Sequence, residues 1–202
     1  MTIAPETKKK FSIDFLRNEI FLGTLVAVLS ILTALAAYIG SISDSQESDN
    51  NVEGQKTLSL SNTEFLRTNS EIAQDYSYYD NYYIYSGERD DLAEYYHDNF
   101  SETLAAAVER DNGVWDDEYY DTMYKDADDS YDEAMEYFDK AQAAGDKADG
   151  LQLDMLILAV ALSLSAWASL VSEDSKIRPI FGALSSVIGI VGLVIFITMV
   201  IK

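Results

Sequence analysis

The chain has 202 residues, no cysteine, one histidine, and 35 acidic against 14 basic residues, a formal net charge of −21. A charge of that sign repels phosphate backbones and so excludes a nucleic-acid partner, and without thiols there are no disulfides and no cysteine metal sites. Averaged composition hides two unlike parts, because three long apolar runs flank a highly acidic block.

Residues 1–19 form a basic segment, with Lys8, Lys9, Lys10 and Arg17. The first apolar run, residues 20–42, holds 23 residues and no charge. About 20 such residues cross a bilayer core as helix. It exceeds the 7–15 residues of a signal-peptide core and no small-x-small cleavage site follows it, so it reads as an uncleaved anchor.

Residues 43–150 are the acidic block. Between residues 41 and 150 there are 29 acidic and 7 basic residues, a net −22, and thirteen of the fourteen tyrosines lie here. The pattern within the block is helical. Leu58, Asn62, Phe65, Asn69, Ile72, Tyr76, Tyr79 and Tyr83 step by four and three, as do Tyr120, Tyr124, Ala127, Tyr131, Ala134, Phe138, Ala141, Gly145 and Ala148. Alternating steps of this kind put one stripe of each helix against a neighbour, the seam of coiled-coil packing. The two runs match in length, about 38 and 42 Å at 1.5 Å per residue. Between them Leu92, Tyr96, Phe100 and Leu104 share a face, with Ser86 and Gly87 before and Asn112 and Gly113 after as start and stop signals. Three helices are therefore expected, roughly 52–84, 88–110 and 115–150, with tyrosine rings filling much of the core. Asn62 and Asn69 at seam positions point to a helix that meets a copy of itself or another helix in a fixed register.

The second apolar run, residues 151–171, contains Asp154 near its start, and a short turn at residues 172–179 with Lys176 and Arg178 leads into the third, residues 180–201. If Gly145 and Gly150 do not break it, the helix that carries Tyr120 to Ala148 continues through the second run as one rod of about 52 residues, about 78 Å. Lysine and arginine favour cytoplasmic flanks. That rule puts the N-terminus and the 172–179 turn in the cytoplasm, and the acidic domain and C-terminus outside the cell membrane.

Small residues let membrane helices approach backbone to backbone. Gly23, Ala27 and Ala34 form such a stripe in the first run, and Gly182, Gly189 and Gly192 form one in the third. Asp154 is the single ionisable residue in the second run, and an intramembrane carboxyl is a candidate functional site.

Sites that could carry chemistry are few. The cluster DADDSYDE, Asp126 to Glu133, resembles a calcium loop, but the EF-hand pattern needs Gly at the sixth position and Glu at the twelfth, where Tyr131 and Tyr137 stand. Those acidic residues read as a solvated helix face that binds divalent cations weakly at most. His97, alone, makes no histidine metal site or triad. The sequence shows no catalytic residue and calls for no cofactor.

The order of one anchor, a polar helical domain, and a long helix entering two closely spaced spans resembles an uncharacterised prokaryotic family of small three-span membrane proteins, a domain-of-unknown-function family. The residues that carry the likeness are TNSEIAQDYSYYD, Thr68 to Asp80, and GIVGLV, Gly189 to Val194. The resemblance implies the architecture and carries no activity with it.

The expectation is an all-α integral membrane protein with three transmembrane helices and an extracytoplasmic, three-helix, coiled-coil-like domain. Its function is expected to be non-enzymatic, as an oligomeric scaffold or accessory subunit whose partners are membrane lipid and copies of itself or other membrane subunits. The alternative is a cation-conducting or cation-sensing homo-oligomer with an acidic vestibule, since rings of Asp and Glu favour cations.

Overall fold

The computed structural model describes residues 15–16, 18–111 and 113–201. The orientation signals Lys8, Lys9, Lys10 and Arg17, the stop signal Asn112, and Lys202 lie outside the described residues. Five helices make up the described chain, and it contains no strand: α1 Glu19–Tyr85, α2 Asp90–His97, α3 Glu102–Val108, α4 Asp117–Leu170 and α5 Arg178–Ile201. Three of them, α1, α4 and α5, are long and apolar enough to cross a membrane by length and composition.

Helices α1, α3 and α4 start where a side chain accepts from one of the unpaired first amides. Asn18 Oδ1 accepts from Ile20 N at 2.8 Å, Ser101 Oγ accepts from Leu104 N at 3.0 Å, and Asp116 Oδ1 accepts from Tyr119 N at 2.9 Å. Arg110 closes the turn before α4, its Nη2 donating to the same Asp116 oxygen at 2.7 Å. α1 stops at Tyr85, and Gly87 follows with φ of +85°, a left-handed backbone that costs only glycine nothing. Pro179 sits in the first turn of α5, where its missing N–H is no loss.

Two expectations about the elements need correction or are answered directly. The middle of the acidic block is two short helices, α2 and α3, in place of one helix over 88–110. At Ser101 the backbone turns extended, with φ −60° and ψ 157°, so that its hydroxyl caps α3. Asp98, Asn99 and Ser101, which compete with helical hydrogen bonds, mark the break. Helix α4, by contrast, runs unbroken through Gly145 and Gly150.

The chain divides into two compact units, residues 48–141 and the remainder. In the acidic unit, α1 and α4 pack through small side chains. Gly54, Ser61, Thr68 and Asp75, seven apart on α1, are buried, as are Ala127, Ala134 and Ala141, also seven apart, on α4. Ser61 Oγ donates to the Ala127 carbonyl at 2.8 Å and Thr68 Oγ1 to the Met123 carbonyl at 3.2 Å. Side chains this short reach a neighbouring backbone only when the helices lie close. Phe138 lies over Gly54, where a Cβ would come within 2.9 Å of its ring. Towards the α3 end, Ile72, Leu104, Ala107 and Tyr119 form the core, ringed by Tyr79, Phe100, Val108, Val114, Trp115 and Met123.

In the other unit the buried faces are Leu22, Leu29, Ala36 and Ser43 on α1, Ala148, Leu151, Asp154, Leu158, Ala161, Ser165 and Ala168 on α4, and Gly182, Ser185, Gly189 and Gly192 on α5. The glycines of α5 are seats for leucines. A Cβ would meet Leu22 Cδ2 at 3.3 Å from Gly182, Leu29 Cδ2 at 2.9 Å from Gly189, and Leu158 Cδ2 at 2.6 Å from Gly192. Ser185 Oγ donates to the Ala161 carbonyl at 2.7 Å, joining α5 to α4.

Candidate functional site

The seam read on α4 is covered except at Tyr131, whereas most of the seam read on α1 is exposed. Ile72 is buried and Phe138 half-buried, whereas Asn62, Asn69 and Tyr76 are exposed. The stripe of α1 that meets α4 includes the series Gly54, Ser61, Thr68 and Asp75, one residue away from the series Asn62, Asn69, Tyr76. The physical reason is size and hydrogen bonding, since hydroxyls that can satisfy themselves on backbone carbonyls allow a closer approach than amides or rings.

What the displaced residues form is a flank of the helix pair. Phe65 stacks on Tyr124 with ring centroids 5.2 Å apart and planes 24° from parallel. Tyr124 OH donates to Asn69 Oδ1 at 2.8 Å, and the hydroxyls of Tyr76 and Tyr120 are hydrogen-bonded to each other. Their mutual bond, with partial burial, pushes the Tyr120 phenol up to about 12. Tyr131, seven residues beyond Tyr124, and Asn62, seven before Asn69, continue the two edges by periodicity. Phe65 is 48% exposed and Tyr131 47%, so this aromatic and amide ladder is open to solvent in a single chain.

Sequence reasoning passed over Asp75. It is 2% exposed and accepts three hydrogen bonds, from Ser101 N at 3.3 Å, Ser101 Oγ at 2.6 Å and Tyr119 OH at 2.8 Å. One carboxylate thus ties α1 to the cap of α3 and the first turn of α4. Burial, and then the bond to Asp75, holds the Tyr119 phenol well above its ordinary value. The signal was present as an acid at the end of a seven-residue series of small side chains, and acidic background concealed it.

His97 packs against Phe100 and Tyr82 at ring-centroid distances of 5.1 and 5.5 Å, with an exposed side chain. Asp126, Asp128, Asp129, Asp132 and Glu133 are exposed along α4, and among the described residues no group of three or more His, Cys, Asp or Glu could hold a metal ion.

In the apolar unit, Gly182, Gly189 and Gly192 are buried against leucines, while Gly23, Ala27 and Ala34 are exposed; no atom outside α1's own turns lies within 4 Å of where a Cβ on Gly23 would be. Within the chain α1 packs by its leucines, which need the glycine seats on α5. Asp154 is wholly buried, and neither of its carboxyl oxygens has a hydrogen-bond partner.

No protein-family model matches the chain, and no curated protein or solved structure is significantly similar to it.

Proposed function

We propose that the chain is a multi-pass protein of the cell membrane that acts without catalysis, as a self-associating scaffold or accessory subunit. Helices α1, α4 and α5 supply the three spans, with the N-terminus and the 172–179 turn in the cytoplasm and the acidic helical domain outside. The observation that carries it is the ladder in which Asn62, Phe65, Asn69, Tyr76 and Tyr131 are exposed beside the half-buried Tyr124. Side chains that are both apolar in body and able to donate or accept at their tips suit a contact that forms on a wet surface. Asn offers a donor and an acceptor together, so an Asn62 and an Asn69 from two copies can satisfy each other and fix a register.

The absence of cysteine makes the test clean. Asn62→Cys or Asn69→Cys in the full chain, oxidised in the native membrane, is expected to give a disulfide-linked dimer, while Asp132→Cys on the acidic face gives none. Failure of both ladder positions to cross-link, with the free thiols still reactive, would remove self-association through this face. Cross-linking to a different polypeptide would replace the second copy by another subunit.

A further inference from the structure

Asp154 on α4 carries a buried carboxyl with no partner on either oxygen. It is 0% exposed, and Oδ1 lies 3.3 Å from the position a Cβ on Gly192 would take. A side chain at residue 192 would crowd it, so glycine there leaves the carboxyl its room. Leu151 and Leu158, one turn away on either side, are also fully buried.

No countercharge faces it from any helix of this unit. On α5 the residues from Pro179 to Ile201 include no ionisable side chain, and Arg178 begins the helix fourteen residues before Gly192, about 21 Å along the axis. On α1 the ionisable groups at the facing levels are Tyr38 and Asp44, both exposed, and Glu47, which lies over Gly145. On α4 itself the nearest are Asp149, exposed, and Lys147, half-buried, both towards the acidic end. An ionised carboxylate deprived of water, hydrogen bonds and countercharge is strongly disfavoured.

The surroundings of Asp154 do not suit a metal cation. Calcium takes about 6–8 oxygen ligands, and among the described residues no group of three or more His, Cys, Asp or Glu gathers at Asp154 to begin such a shell.

We propose that Asp154 is a proton-binding site whose occupancy is coupled to the contact between α4 and α5. Packed against Gly192, the carboxyl is neutral. When α5 moves away, water reaches it, the O–H bond breaks, the proton passes to water and the carboxylate remains. Repacking requires that a proton return from water to the same oxygen. The coupling rests on packing within this unit and stands whether or not the acidic domain self-associates.

The test is infrared spectroscopy of the full chain in lipid nanodiscs at pH 7, with aspartate carrying carbon-13 in the side-chain carboxyl. At that pH ordinary aspartates, with pKa values about 3.9, are ionised. The expected result is a protonated-carboxyl band that shifts with the label, disappears in Asp154→Asn, and loses its isotope shift in Asp154→Glu, which moves the acid to an unlabelled residue type. As pH is raised the band should fade together with a gain in amide hydrogen exchange along residues 182–192. A chain with no labelled acid band at pH 7 would overturn the site, as would a labelled band that survives unchanged in whichever of the two variants folds. Loss of the band with no change in exchange along α5 would overturn the coupling.

Discussion

Tyr119 OH donates to Asp75 Oδ2 at 2.8 Å, with both side chains buried, and this bond joins α4 to α1 at the head of the acidic unit. Tyr119→Phe leaves the carboxylate with the two Ser101 donors and is expected to destabilise the unit by about 1–3 kcal/mol, because a buried charged acceptor loses a partner. Asp75→Asn should cost more than Tyr119→Phe, since it weakens all three bonds at once. Chemical denaturation followed by circular dichroism would measure both.

The same pair sets an alkaline limit. The Tyr119 phenol is held above its ordinary value by burial first and by Asp75 second, and Tyr120 is pushed up to about 12 by its bond to Tyr76 first. Above about pH 10 the unfolded chain releases these protons while the folded chain keeps them, so the unfolded state gains and stability falls as pH rises. Below that pH the contribution is fully present. Denaturation midpoints should drop on passing pH 10, and the drop should be smaller in Tyr119→Phe.

Ser101 has two duties, capping α3 and donating to Asp75. Ser101→Ala should cost about 1 kcal/mol for the cap and a further amount of similar size for the lost donor. Ser61→Ala, which removes one bond to the Ala127 carbonyl, should cost about 1 kcal/mol alone. If Ser101→Ala proves no worse than Ser61→Ala, its double role is wrong.

Glycine has opposite meanings on two helices. A methyl group at Gly192 comes within 2.6 Å of Leu158 Cδ2, and Gly192→Ala should destabilise the packing of α5 by about 1–3 kcal/mol. Gly23 has open space around it, and Gly23→Ala should be neutral or stabilising by up to about 1 kcal/mol through helix propensity. Thermal unfolding in the same detergent would compare the two.

The proposed topology also has a direct consequence. Ser175→Cys, in the 172–179 turn, should resist a membrane-impermeant thiol reagent applied to intact cells, and Ser130→Cys on α4 should react. The reverse labelling pattern would invert the orientation.

Much of the architecture could be read from the sequence because its signals are long and redundant. Twenty or more apolar residues have few alternatives to a helix, and alanines seven apart at Ala127, Ala134 and Ala141 lie on one face whatever the neighbours are. The register of α1 was harder. Large side chains such as Asn62, Asn69 and Tyr76 suggest the contact by size, but Ser61 and Thr68 are buried because their hydroxyls bond to carbonyls of α4, an option that periodicity of apolar residues does not reveal. The break between α2 and α3 was signalled by Asp98, Asn99 and Ser101, but the apolar face running from Leu92 to Leu104 masked it. Asp75 and Asp154 show the limit most clearly. Both are carboxyls in an acidic chain, and only the packing tells that one has three donors and the other none.

The central claim is self-association through the ladder, and the mass of the full chain in lipid nanodiscs tests it most directly. Because copies carrying this much negative charge repel, association should strengthen as salt is raised and the repulsion is screened. The expected result is a multimer that grows more stable with salt and falls to a single chain in the double variant Phe65→Ser, Tyr131→Ser, with helix content retained. A single-chain mass for the unaltered protein at every salt concentration would contradict the account.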